Sequence, residues 1–209
     1  MKFSVALLTL GLVPMVHVAH AQSAGEHPLS GALAFAGPKV GVAGDYQINQ
    51  VRRSVSELAS GVDKRQSGVG YLGYAGYDVA LGSQFLAGVE VRVGGGGKTL
   101  RQDLSGGTFT SQSGLGVDIA GRAGVVVADN ILLYGRAGYA RQRVTDTTNF
   151  TSPRQPPIED KRTDGGVVYG VGAELAVNPR IAVRAEFDQA YFSKRFICDR
   201  LLLGFVVRL

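Results

Sequence analysis

Apolar residues in this chain return at every second position, and they do so in one run after another. Between 69 and 79 the odd positions read Val69, Tyr71, Gly73, Ala75, Tyr77 and Val79, with Gly70, Leu72, Tyr74, Gly76 and Asp78 between them. Side chains of a strand point alternately to its two faces, so a period of two means extended chain with one apolar face. The same pattern runs through 40–48, 85–93, 115–127, 131–139, 167–177, 181–191 and 201–209, which makes eight runs. Beyond the first residues of the chain, no stretch reaches the ~18 consecutive apolar residues of a spanning helix. If the chain enters a membrane, it must do so as strands.

The connections alternate as well. Residues 50–67, 94–113, 143–166 and 192–199 are longer and polar, whereas 80–84, 128–130 and 178–180 read as tight turns. Long connections at one end and short turns at the other are the arrangement of an up-and-down outer-membrane barrel, whose smallest even form has eight strands. Charge sharpens the reading, because one lipid-facing Arg or Lys at the bilayer midplane costs roughly 2–4 kcal/mol. No charge stands at the centre of an apolar run, and Arg141 lies at a loop end, where it can snorkel. The opposite faces carry Lys39, Arg92, Arg122, Arg136, Arg184, Arg200 and Arg208 against Asp45, Asp78, Glu90, Asp118, Glu174, Glu186 and Asp188, seven of each sign. Tyr46, Tyr71, Tyr77, Phe85, Tyr139, Phe187 and Tyr191 gather near strand ends as an interfacial girdle would. The expected fold is all-β, an eight-stranded antiparallel up-and-down transmembrane β-barrel over residues 38–209.

The first residues belong to export. Lys2 precedes an apolar stretch at 5–13, and Ala19-His20-Ala21 forms a small-residue cleavage site, so 1–21 reads as a signal peptide and 22–37 as a lead-in to the barrel. Cleavage takes Lys2 away and lowers the net charge from +5 to +4. All three histidines, His17, His20 and His27, fall before the barrel, which leaves no ordinary general base beside a serine nucleophile in its walls. One cysteine, Cys198, sits in the fourth connection as a free loop thiol, and no Cys/His cluster supplies a metal. No cofactor is expected. Gly68 to Gly73 fits the spacing G-x-G-x-x-G but lies inside a strand with no helix after it, so it does not point to a dinucleotide. Gly97-Lys98-Thr99 lacks the first glycine of a phosphate-binding loop, because Arg92 stands there.

The runs GVGYLGYAGYDVALGSQFLAGVEVRVG (68–94), ILLYGRAGYA (131–140), YGVGAELAVNPRIAVRAEFDQAYF (169–192) and LLLGFVVRL (201–209) resemble the small porin-like outer-membrane proteins of Gram-negative bacteria, the immunogenic surface-antigen or opacity-type group. The resemblance covers nearly all of the chain after the signal. It implies insertion by the barrel-assembly machinery and a place in the outer membrane. The family pattern is departed from at Leu209, where such barrels usually carry an aromatic residue, and in the absence of tryptophan.

Two groups of residues are candidates for function. In the first connection Arg52, Arg53, Lys64 and Arg65 outnumber Glu57 and Asp63, and the nearest anions to an exported chain are the phosphates of lipopolysaccharide rather than nucleic acid. In the lumen, Glu90, Arg92, Asp118, Arg122, Arg136, Glu174, Arg184, Glu186 and Asp188 form an expected charge network. Hairpin arithmetic places Glu174 opposite Arg184 if Val177 faces Ile181, and Arg122 opposite Arg136 if Val127 faces Ile131. Glu90 and Glu186 are expected to neutralise that arginine pair and block the barrel, whose bore has room for little beyond side chains. The function expected is a non-enzymatic barrel of envelope structure and surface interaction. The alternatives are a narrow diffusion pore and a lipid-modifying enzyme.

Overall fold

The computed structural model describes residues 31–55, 60–97, 99–104, 107–152, 156–193 and 196–209, without the side chains of 51–66, 100, 104, 193 and 196. The expected signal and most of the lead-in lie outside the described residues. A short 3-10 helix, Gly31–Phe35, is followed by nine strands: β1 (Gly37–Val55), β2 (Ser60–Leu81), β3 (Phe85–Gly96), β4 (Leu100–Leu104), β5 (Gly107–Ala128), β6 (Ile131–Phe150), β7 (Ile158–Ala176), β8 (Ile181–Ser193) and β9 (Phe196–Arg208). Eight of them form a ring. Neighbours in sequence pair antiparallel, except that β3 passes over β4 to pair with β5, and β9 returns to β1 with Lys39 opposite Arg208. β4 is a short hairpin partner laid on the far end of β5, from Leu100↔Ser111 to Leu104↔Gly107. A closed ring leaves no unpaired edge in its wall, which is what a strand protein needs where water is absent.

Alternation sorts the side chains as the pleat requires. Outward positions are apolar and open to the surroundings, with Val69 at 77% exposure and Val42, Val171 and Leu203 above 60%. Inward positions are almost all buried. Contiguous apolar surface of this extent is stable only against lipid or another protein.

The strands are longer than the sequence pattern suggests. Most of what reads as loop at 50–67 and 143–166 is paired strand, with Arg52↔Asp63 on β1 and β2 and Thr145↔Lys161 on β6 and β7. Above the apolar band both faces are polar, so the period of two loses its contrast while the hydrogen-bonded ladder continues. The turn at the opposite end also differs in detail. Ala128, not Val127, faces Ile131, and a bulge between Val126 and Ala128 restores the register that sets Arg122 opposite Arg136. In the β7–β8 turn, Asn178 Oδ1 accepts from the backbone N–H of Arg180 at 2.9 Å and of Ile181 at 2.8 Å.

Candidate functional site

The lumen is filled by ion pairs. Glu174 of β7 stands opposite Arg184 of β8, and Arg184 Nη2 approaches Glu174 Oε1 at 2.7 Å and Glu90 Oε2 at 2.8 Å. Arg92 of β3 holds Glu186 of β8 with contacts of 2.6 and 2.7 Å. In the ring order, β3 and β8 are four strands apart in either direction, so both of these ties cross the full width of the barrel. Arg122 donates to Glu174 at 2.8 Å and lies 3.5 Å from Glu90, while Arg136 is held by Asp118 and by Asp188 at 3.3 Å. The arginine pair is therefore neutralised mainly by Glu174, Asp118 and Asp188, and the carboxylates of Glu90 and Glu186 go chiefly to Arg184 and Arg92. Lys39 joins Asp78 at 2.6 Å, and Arg200 joins Asp188 at 2.7 Å. Burying so many charges is tolerable only because each carboxylate in these ties meets a cation.

Two tyrosines point inward and wedge this network. Arg122 lies 4.1 Å over the Tyr134 ring and Arg184 lies 4.2 Å over the Tyr74 ring. The Tyr134 hydroxyl donates to Glu186, and that of Tyr74 donates to the Phe205 carbonyl at 2.9 Å. Glycine makes the room. A Cβ at position 41 would stand 2.3 Å from Tyr74 Cζ, and one at position 172 would stand 2.5 Å from Tyr134 Oη. Glycine at 30 of 209 residues, about double the common share, thus has a steric cause in a narrow bore.

The 3-10 helix closes the turn end of the lumen. Ala32 and Phe35 are buried against Leu86, Val126, Leu132 and Tyr134, with the Arg208 guanidinium 4.6 Å over the Phe35 ring. The Ala32 N–H donates to the Ser83 carbonyl at 2.8 Å. Gly31 has φ +66, and a Cβ there would fall 2.3 Å from the same carbonyl oxygen.

Residues 6–203 match the family model described as outer membrane protein beta-barrel domain. The chain belongs to this family of outer-membrane β-barrels. Among solved structures it is similar to Ail, the attachment invasion locus protein of Yersinia pestis, in complex with the heparin analogue sucrose octasulfate, at 13% identity and a TM-score of 0.51 over 83% of this chain and 99% of that one. It is also similar to Neisserial surface protein A, at 14% identity and a TM-score of 0.49 over 81% and 97% of the two chains. No curated protein matches the sequence. A family member of this kind resides in the bacterial outer membrane, its turn end in the periplasm and its extended strands outside.

In that setting the remaining sequence candidates take their places. Arg52, Arg53, Lys64 and Arg65 belong to the outer extension of the β1–β2 hairpin rather than to an irregular loop, and their side chains lie outside the described residues. Cys198 is not a loop thiol: it lies on β9, points inward and is 3% exposed. Asp199, next to it, belongs to β9 rather than to the fourth connection, pairs with Gln189 across the strands and accepts its side-chain amide. A cavity of about 30 Å³ sits above the network, lined in part by Asp45, Gln47, Asp118, Cys198 and Arg200, and has room for a few waters. Sequence reasoning missed the 3-10 helix, whose only signal is the short apolar run of Leu33, Ala34 and Phe35.

Proposed function

We propose that this protein is a non-conducting, non-enzymatic barrel that contributes to envelope structure and presents its extended outer strands for surface interaction. The observation that supports it is the pair of ties from Glu90 and Arg92 on β3 to Arg184 and Glu186 on β8, which span the bore at its widest. Below them, the 3-10 helix stops the periplasmic mouth. Ion passage would require parting side chains that are 0–2% exposed, and each broken buried pair costs roughly 3–5 kcal/mol. The absence of histidine beyond His27 argues in the same direction against hydrolysis. Recording from the refolded barrel in a planar bilayer tests the reading: no steady conductance is expected, and a large, steady single-channel current would overturn it in favour of the diffusion pore.

Lipopolysaccharide is the surface partner we assign to this barrel, which the barrel-assembly machinery would insert. The supporting observation is position. Arg52, Arg53 and Lys64 lie at or beyond the last pairing of β1 with β9, Val51↔Phe196, and Arg65, opposite Gln50, lies one step short of it, at the height where the hairpin leaves the wall toward the sugar-phosphate layer. Replacement of all four by Gln is expected to weaken lipopolysaccharide binding, and wild-type binding should fall as salt rises. Binding unchanged in both tests would refute these contacts.

A further inference from the structure

The outer halves of β6 and β7 sort their charges by sign except at the tip, where Glu159 shares the outward face. Outward positions above Tyr139 carry Arg141 and Arg143 on β6 and Lys161 on β7, all exposed, whereas the neighbouring inward positions carry Asp146 and Asp164. Arg162 keeps the acids inside: it donates to Asp146 and lies 3.0 Å from Asp164. Lys161 has Glu159 at 3.0 Å, near the tip. Arg141 and Arg143 form no ion pair among the described residues. Two adjacent uncompensated guanidiniums therefore face away from the barrel on a wall that is otherwise apolar below them.

Their depth is fixed by their neighbours. Arg141 is flanked across the strands by Val117 and Gly165, and one outward step below it Tyr139 is flanked by Ile119 and Val167. Those apolar partners are exposed to lipid, so Arg141 stands where the apolar band ends. The Tyr139 ring is laid over the bare backbone of Gly165, since a Cβ there would come within 2.3 Å of its hydroxyl oxygen. That brings a phenol donor beside Arg141. A hydroxyl and two guanidiniums at headgroup height match the oxygens of a phosphate monoester.

We infer that the outer face of β6–β7 binds a phosphate of the lipid A headgroup, through Arg141 and Arg143 with Tyr139 as the third donor. The inference rests on the outer-membrane reading and on the assignment of lipopolysaccharide as partner, but not on Arg52, Arg53, Lys64 and Arg65. It adds a membrane-level site to that partner. The inward acids and Arg162 matter because they leave Glu159, paired with Lys161 near the tip, as the one carboxylate on this face of β6 and β7 among the described residues.

The test uses the full chain refolded in phosphatidylcholine nanodiscs doped with lipid A, with dephosphorylated lipid A or with phosphatidylglycerol, and native mass spectrometry to count retained lipid. Folding of every variant is verified by heat-dependent gel mobility. The wild type should retain lipid A, and the Arg141→Gln, Arg143→Gln double variant should retain about tenfold less, the loss expected for charge-assisted contacts. Arg141→Lys with Arg143→Lys should recover part of the binding. Gly165→Val should reduce it with no change of charge by displacing Tyr139. The Gln variant at 52, 53, 64 and 65 should leave this retention intact, so failure there and failure here are read separately. Equal retention by the Arg141→Gln, Arg143→Gln variant, retention indifferent to the phosphates, or equal preference for phosphatidylglycerol would each overturn the assignment.

Discussion

Glu90 is the carboxylate on which the lumen network converges, and its replacement by Gln tests whether that network holds the barrel. Arg92 Nε lies 2.7 Å from it, Arg184 Nη2 2.8 Å, and both Lys39 and Arg122 3.5 Å. Gln preserves the shape, so no cavity contributes, but it removes the charge and turns an amide donor toward guanidinium donors. Arg92 keeps Glu186 and Arg184 keeps Glu174, which places the expected loss at the lower end of the range for a broken buried pair, about 3 kcal/mol. Arg184→Met should cost a similar amount. Because the two residues contact each other directly, the double variant should be less destabilised than the two singles together, by at least about 1.5 kcal/mol. The chain has no tryptophan, so urea unfolding in vesicles would be followed by tyrosine fluorescence and by the mobility difference between folded and heated protein. A loss below about 1 kcal/mol in the single variant, or strict additivity in the double, would refute the idea that these cross-lumen ties stabilise the barrel.

Two further outcomes follow from the packing of the bore. Gly172→Val should drive Tyr134 from its place between Arg122 and Glu186, costing about 2 kcal/mol and lowering the temperature of the gel shift; an unshifted transition would show that the glycine slot is not needed. Cys198, pointing inward, should resist maleimide in the folded barrel and react after heating, and rapid labelling of the folded form would contradict its inward placement.

The wall of the barrel was legible because lipid and lumen impose opposite chemistry on successive residues. Val89, Glu90, Val91 and Arg92 announce the direction of every side chain on β3 without any structure. The outer extensions were not legible, since at Thr145 to Thr148 both faces are polar and the alternation carries no contrast, although each residue still pairs with β7. The lumen was half legible. Hairpin arithmetic reaches a neighbouring strand, as for Glu174 and Arg184, but the partners of Glu90 and Arg92 lie on the far wall, and which residues meet there depends on the tilt and stagger of the whole ring. β4 and the 3-10 helix escaped for a different reason: five residues are too few to express any period.

The seat of the 3-10 helix has a bearing on the order of events during assembly. Phe35 rests on Leu86 of β3, Val126 of β5 and Leu132 of β6, beneath Arg208 of β9, and next in the chain the Leu209 N–H donates to the Pro38 carbonyl at 3.0 Å. The seat on β3, β5 and β6 is continuous through their own ladders, whereas Arg208 reaches the Phe35 ring only when β9 has been laid against β1, a contact that joins positions as distant in sequence as Lys39 and Arg208. Such a contact carries nearly the whole chain as its loop, so it belongs among the last and slowest to form. The stopper's apolar seat therefore precedes closure, and the setting of Arg208 over Phe35 marks the change from an open curl to a sealed cylinder.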